Sequence, residues 1–345
     1  MGEKMRAMVL RKVCDLAKER RPLELCEVDI PTVGRNEILV RVLACGVCHT
    51  ELDEIEGRTP PKRFPMILGH QIVGSVVQCG ETVTRFRLGD RVGIGWINGS
   101  CGNCRFCTEG RENLCEQFLA TGRDVEGGYA EYAKVQEEYA FSVPQEFSDS
   151  EAAPLFCAGA IGYRSLRLTQ MKDGDTLGLI GFGASAHMVI QLARHLFPSS
   201  RILVFARSEG ERRFAKELGA FWAGDIDEEP PIRPDVAIDT TPVWRPVLYG
   251  LSFLQRGGRL IINAIRKEAS DKDQMASIDY ERHLWLEKEI KTVANVTRMD
   301  IEEFLEIARR VPIKPEVKEF ALEEANEALF ELKERKIRGA KVLRL

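Results

Sequence analysis

The sequence predicts an α/β protein of two domains, one mainly β with long loops and one built on a doubly wound parallel sheet. Three observations carry this. A chain of 345 residues is longer than one ordinary hydrophobic core and suits two. Up to about residue 157, short runs rich in Val, Ile and Gly alternate with polar positions and are broken by Gly-Asp pairs and prolines. Beyond Ala158, strand-like runs alternate with helix-length amphipathic segments, the pattern of a parallel sheet with crossover helices.

In chain order, 37–42 and 72–77 read as strands because β-branched residues recur at period two. Thr59-Pro60-Pro61 and Gly89-Asp90 mark loops between strands, where the chemistry of such a domain is expected. The second half reads as strand 176–180, helix 187–196, strand 202–205, helix 209–218, then strands 236–239 and 259–263. Helical segments at 302–309 and 323–334 and a strand-like 341–343 return to the first domain. The expected division is therefore 1–157 with 297–345 for the mainly β domain, and 158–296 for the parallel sheet.

Composition narrows the function. With 44% hydrophobic and 30% charged residues, the chain is neither disordered nor fibrous. The longest apolar runs, such as 177–180, are strand-sized, so no membrane partner is expected. The net charge of −4 and the scattered Lys and Arg leave no basic stripe for nucleic acid. The start, Met1-Gly2-Glu3-Lys4-Met5-Arg6, lacks an apolar signal core and has Arg6 where a myristoylation motif wants Ser or Thr, which predicts a cytoplasmic protein. In that compartment ten cysteines read as metal ligands or reduced thiols before disulfides.

Cys101, Cys104, Cys107 and Cys115 form C-x2-C-x2-C-x7-C. Four thiolates so close in sequence can close tetrahedrally on one zinc at about 2.3 Å each. An iron–sulfur cluster stays open from spacing alone. A closed four-thiolate site leaves no position for substrate and would pin a loop that lacks its own core. Cys48, His70 and Cys157 are scattered, and singly each is more often a core residue than a ligand. Together, two thiolates and an imidazole would make an open zinc site, although spacing does not decide whether they meet. Gly181-Phe182-Gly183-Ala184-Ser185-Ala186 is G-x-G-x-x-A after a buried strand and before a helix, which suits a pyrophosphate at a helix N-terminus; a tight turn without a ligand is the bland alternative.

The order of motifs resembles that of the zinc-dependent alcohol dehydrogenases of the medium-chain dehydrogenase/reductase superfamily over nearly the whole chain. The matching pieces are Gly46-Val47-Cys48-His49-Thr50, Gly69-His70, Gly89-Asp90-Arg91-Val92, Trp96-Ile97-Asn98-Gly99-Ser100-Cys101, the four-cysteine loop, and Cys157-Ala158-Gly159. The resemblance implies a GroES-like catalytic domain and a Rossmann dinucleotide-binding domain. It also implies two zinc ions per chain: a catalytic one on Cys48, His70 and Cys157, and a structural one on Cys101, Cys104, Cys107 and Cys115. Thr50 matches the hydroxyl that hydrogen-bonds the reacting alcohol. His49 and Arg338 match positions near the cofactor pyrophosphate, and Gly181, Gly183 and Ala186 the phosphate loop. The implied reaction is hydride transfer between a small alcohol or aldehyde and a nicotinamide, with zinc as Lewis acid and Thr50 passing the proton toward solvent. A homodimer or homotetramer is the implied assembly.

The resemblance has departures. Family members often end the proton relay on a histidine five residues after the first zinc ligand, and Asp53 stands there, which implies a carboxylate relay or direct exchange with water. Glu51 and Gln71 stand where the family commonly has Asp and Glu. The acidic residue that usually binds the adenosine ribose in NAD enzymes is replaced by Ala206, followed by Arg207 and Ser208. This predicts NADP(H) over NAD(H), with Arg212 or Arg213 assisting; use of both cofactors stays open.

Two rival readings remain at this stage. A zinc-free quinone or enoyl reductase would keep the glycine loop without the three catalytic ligands. A zinc- or cofactor-binding redox sensor would keep the metals without turnover. Trp96 and Phe156 read equally as pocket wall or core. Cys14, Cys26, Cys45 and Cys79 read as core thiols, His187 as a packed or solvated helix residue, and His283 as having no role.

Overall fold

A computed structural model describes residues 2–334 and 338–345. The chain divides into two compact units, Met1–Ala160 with Asn295–Arg309 and Pro315–Leu345, and Ile161–Ala294 with Arg310–Lys314.

The first unit is organised by the strand Glu37–Val47, whose eleven residues are long enough to serve three partners. Gln71–Cys79 runs antiparallel along one edge. On the other edge, Glu37–Arg41 pairs with Tyr132–Gln136, and Ala44–Val47 pairs with the C-terminal strand Ala340–Arg344. The sheet continues outward through Arg91–Ile94 and Ala140–Ser142 on one side and Val317–Ala321 on the other, seven strands in all. Leu23–Asp29, Lys4–Leu10 and Met66–Ile67 form a smaller sheet. Inward positions such as Ile38, Val40, Val42 and Ile72 are fully or nearly fully buried, so register is set by the apolar face.

The second unit is a six-stranded, all-parallel sheet in the order Trp222–Gly224, Arg201–Phe205, Thr176–Ile180, Val236–Asp239, Arg259–Ile262, Glu289–Thr292. Strand order reverses beside Thr176–Ile180, the arrangement of a doubly wound dinucleotide fold. Thr176–Ile180 is buried at every position, which explains why it is a continuous apolar run without alternation. Helices Ala186–Leu196, Glu209–Glu217 and Arg245–Phe253 connect the strands. Phe205 stacks on Phe253 with ring centroids 5.6 Å apart, within a core that includes Leu203, Val247, Leu251 and Leu260.

The elements read from the sequence form, with shifted ends. The strand expected at 259–263 stops at Ile262. The helix expected at 302–309 begins earlier, at Arg298, because Thr297 and Asp300 close a reciprocal cap: the Thr297 N–H and hydroxyl donate to Asp300 Oδ2, and the Asp300 N–H donates back to Thr297 Oγ1. Among the described residues no helix is long and apolar enough to cross a membrane.

Candidate functional site

The strand Glu37–Val47 ends by delivering Cys48 to the N-terminus of the short helix His49–Ile55. The Cys48 N–H donates to Glu51 Oε2 at 2.7 Å, so Glu51 caps the helix on which it sits. The other oxygen of the same carboxylate, Oε1, accepts from His70 Nδ1 at 2.6 Å. His70 follows Gly69, whose φ of +93° and close approach to the Tyr129 ring, 2.3 Å from where a Cβ would stand, admit only glycine. With Nδ1 engaged, His70 turns Nε2 to Cys157, 3.1 Å from its Sγ. Sequence reading left open whether Cys48, His70 and Cys157 meet; their ligand atoms all lie within 4.8 Å of one another.

This donor set fits zinc. Three donors would leave a bound zinc room for substrate or water, and the imidazole is oriented by a carboxylate on its far nitrogen. Contact with Cys157 and with His70 holds the Cys48 thiol well below the ordinary thiol range, against the effect of burial. The Thr50 hydroxyl lies 3.6 Å from Cys48 Sγ and is itself buried.

Cys101, Cys104, Cys107 and Cys115 also converge within 4.8 Å. The Cys104–Cys107 and Cys101–Cys107 sulfur separations are 3.5 and 3.9 Å. Thiolates placed tetrahedrally about one ion at roughly 2.3 Å would stand about 3.8 Å apart, so the loop fits a single zinc better than a disulfide or a larger cluster. Backbone N–H groups of Asn103 and Cys104 pull Cys101 down to about 6, while burial lifts Cys115 to about 11.

In the second unit, Gly181 has φ +84°, and a Cβ there would lie 2.7 Å from Thr240 Oγ1. Gly183 gives its carbonyl to the His187 N–H at 3.1 Å, and Ala186 opens the eleven-residue helix. Small residues thus keep the backbone accessible at a helix N-terminus.

Residues 34–145 match the alcohol dehydrogenase GroES-like domain. A Mycobacterium tuberculosis protein described as "Probable alcohol dehydrogenase AdhA" is 42% identical over 327 residues, covering 93% of this chain and 92% of that relative. The chain belongs to the zinc-type medium-chain alcohol dehydrogenase family. Among solved structures, a cinnamyl alcohol dehydrogenase of Sorghum bicolor matches with TM-score 0.88 at 23% identity over 99% of this chain and 98% of that one, a likeness of fold. The alcohol dehydrogenase of Aeropyrum pernix matches with TM-score 0.87 at 25% identity over 99% and 100%.

In this family member the departures acquire partners. Asp53 is 3% exposed and takes the Arg58 Nε at 2.5 Å, with His49 Nε2 3.9 Å from the same oxygen. Burial raises the Asp53 carboxyl, with His49 and Arg58 acting against it. Gln71 packs its amide against Gly46, 2.8 Å from where a Cβ would stand. One group escaped sequence reading: Glu54, one turn beyond Glu51, is fully buried with no hydrogen-bond partner on either oxygen. Burial, then the charge of Glu51, push its carboxyl well above the ordinary range. Position i+3 on a helix that also carries Glu51 was the available signal.

The cofactor-strand residues are partly engaged. Ser208 caps Glu209–Glu217, accepting from the Glu211 N–H at 3.1 Å and donating to Glu211 Oε2 at 2.8 Å. Arg212 donates to the carbonyls of Ala206 and Arg207 at 2.9 and 2.8 Å. Arg213 pairs with Glu209, and Arg338 with Glu316. Arg207 is exposed.

Trp96 stands with its ring centroid 6.5 Å from that of His70, under the Arg123 guanidinium at 5.1 Å. Phe156 instead packs in the core on Gly93 and Phe141. Of the four remaining cysteines read as core thiols, only Cys45 is buried; Cys14, Cys26 and Cys79 are half-buried because their strand or loop faces are shared with solvent. His187 is fully buried, so packing is its role, and His283 accepts the Asp279 N–H at 2.8 Å within a single wide turn.

Proposed function

We propose that the chain is a zinc-dependent, NADP(H)-preferring dehydrogenase that interconverts small alcohols with aldehydes or ketones. Cys48, His70 and Cys157 hold the catalytic zinc, and Cys101, Cys104, Cys107 and Cys115 a structural one, two per chain. The observation that carries the reading is the chain of contacts from Glu51 through His70 to Cys157, in which a buried carboxylate fixes the imidazole so that Nε2 faces the thiols. Bound there, zinc supplies a Lewis acid for the substrate oxygen, and the nicotinamide carries the hydride.

Thr50 hydrogen-bonds the substrate hydroxyl and passes its proton outward. Asp53, paired with Arg58, is the carboxyl assigned to that path on the same helix. Gly181, Gly183 and Ala186 admit the pyrophosphate, and His49 and Arg338 are its further proposed contacts. Arg207 recognises a 2′-phosphate, and Ser208, whose hydroxyl is engaged with Glu211, assists through its place at the helix start. The exposed edge strand Glu289–Thr292, beside Trp285 at 50% and Tyr280 at 64% exposure, supports a homodimer or homotetramer. Six cysteines assigned to zinc and four left as thiols fit a cytoplasmic protein.

Metal analysis combined with a panel of alcohols and aldehydes, each with NADP(H) and NAD(H), tests the proposal. Two zinc ions per chain and cofactor turnover are expected. Two zinc ions with no turnover across the panel would favour a thiolate sensor.

A further inference from the structure

The connection from Arg259–Ile262 to the edge strand, residues 263–288, contains no α-helix, only the 3-10 turn Lys272–Ser277 and the wide turn Tyr280–Leu284. Its first part is stitched to the loop 240–245. The Lys267 ammonium donates to the carbonyls of Thr241 at 2.8 Å and Val243 at 2.9 Å, and its third bond goes to the Asp239 carboxylate. The Glu268 N–H donates to the Pro242 carbonyl at 2.7 Å. Asp271 accepts the N–H groups of Trp244 and Arg245, both at 2.8 Å, at the start of Arg245–Phe253.

Asp239 is fully buried and also accepts the Thr241 N–H at 3.0 Å and hydroxyl at 2.7 Å. The Lys267 side chain is 7% exposed. Dehydrating such a pair is expensive, and a well-packed apolar pair would often hold two loops as firmly, so stability alone is weak justification for it. Its location supplies another. Asp239 ends the strand beside Thr176–Ile180, where strand order reverses and doubly wound sheets take their ligands. The next residue, Thr240, donates its N–H and hydroxyl to the Ile180 carbonyl at 2.9 and 3.1 Å and stands against Gly181.

We propose that Lys267 is a positioning residue for the dinucleotide: by neutralising Asp239 and holding the carbonyls of Thr241 and Val243, it fixes the loop 240–245 as a wall of the crevice beside Gly181. This rests on the reading of Gly181–Ala186 as the dinucleotide loop. The bound cofactor then meets a preorganised loop and does not have to order it, which is where affinity is gained.

The test is equilibrium binding of NADPH and NADH, by cofactor fluorescence, to the zinc-loaded parent, to Lys267→Met, and to the double variant Lys267→Met with Asp239→Asn, which leaves no unpaired buried charge. Zinc content and melting are followed in parallel. In the folded variants Kd should rise roughly tenfold or more, about 1.4 kcal/mol, with zinc content unchanged and kcat at saturating cofactor nearly so. A double variant that binds as tightly as the parent overturns the inference while leaving the function intact. A parent that binds neither dinucleotide overturns the reading of the glycine loop and this inference with it. Hydrogen exchange on the parent needs no variant: amides of 240–245 and 266–271 should gain protection together when NADPH is added, and independent behaviour of the two segments counts against the proposal.

Discussion

Glu51 joins Cys48 to His70 through one carboxylate, with Oε2 on the Cys48 N–H at 2.7 Å and Oε1 on His70 Nδ1 at 2.6 Å. Both partners are proposed metal ligands, so the bridge sets the separation of a thiol and an imidazole as well as the ring orientation. Glu51→Ala should weaken zinc at this site by about 10- to 100-fold, the usual scale for losing a carboxylate behind a metal-bound histidine. Chelator competition reads this directly, and the four-cysteine loop provides an internal control. Unaltered retention in Glu51→Ala would show that packing alone orients His70.

The two clusters should separate under mutation. Cys48→Ala is expected to remove catalysis and one zinc while the melting temperature changes little, because the cluster sits where core strands already meet. Cys104→Ala is expected to lower melting first, since the loop from Cys101 to Cys115 contributes few buried apolar side chains and depends on its ion for folding. Metal analysis and calorimetry on both variants check the pair. Normal turnover in a Cys48→Ala protein with one zinc would sink the catalytic assignment.

Glu54 gives a pH dependence whose sign follows from burial. Its folded carboxyl titrates well above the ordinary value. Below about pH 4 both folded and unfolded chains hold the proton, so the group is neutral toward folding. As pH rises past the unfolded value, the unfolded chain releases its proton and the folded chain does not, and stability falls until the folded group also titrates. Glu54→Gln removes this penalty. The variant should melt a few degrees higher than the parent near pH 8 and show no gain near about pH 4. A difference that does not vary with pH would mean Glu54 is ionised in the folded protein.

How much of this was legible in the sequence depends on how local each feature is. The four-cysteine loop closes over its own short segment, so spacing alone was enough to expect the four thiols to converge. Cys48, His70 and Cys157 come from a strand end, a glycine turn and a helix entry, and only the family resemblance brought them together before the fold did. Glu51 was visible as a departure, but its role was not, because its partner His70 lies 19 residues away. Asp53 was read as a relay group with no hint that Arg58, five residues on, would pair with it. The Lys267–Asp239 pair spans 28 residues and an irregular connection, which no periodicity reports.

That Arg58 pairing sharpens the expectation for Asp53. Burial raises the Asp53 carboxyl while His49 and Arg58 oppose the shift, so the parent's kcat profile should follow that carboxyl and not an imidazole inflection near about pH 6.5. Asp53→His should introduce one, and Arg58 should lose stability along with its partner. Coincident pH–rate profiles for parent and variant would remove position 53 from the proton path.

The proposed preference for NADP(H) rests on the residues where Arg201–Phe205 ends. Ala206 is buried at 4% exposure, and no carboxylate takes its place on the strand, so repulsion toward a 2′-phosphate is absent there. The neighbouring hydrogen bonds redistribute the roles foreseen for the following residues. Arg212 is turned back onto the carbonyls of Ala206 and Arg207, and Ser208 is occupied with Glu211. Arg207, exposed where the strand ends, is the residue proposed for a charge-assisted contact, with Arg212 holding the carbonyl of the backbone that presents it. One such contact contributes about 1.5 to 3 kcal/mol, so kcat/KM should favour NADPH over NADH by roughly ten- to a hundredfold. Ala206→Asp combined with Arg207→Ile should reverse the order, because it restores an acceptor for the ribose hydroxyls and removes the cation. Arg207→Ile alone should erase most of the preference while leaving NADH kinetics near those of the parent. Steady-state rates with each cofactor at one aldehyde concentration measure all three, and a parent more efficient with NADH would refute the assignment.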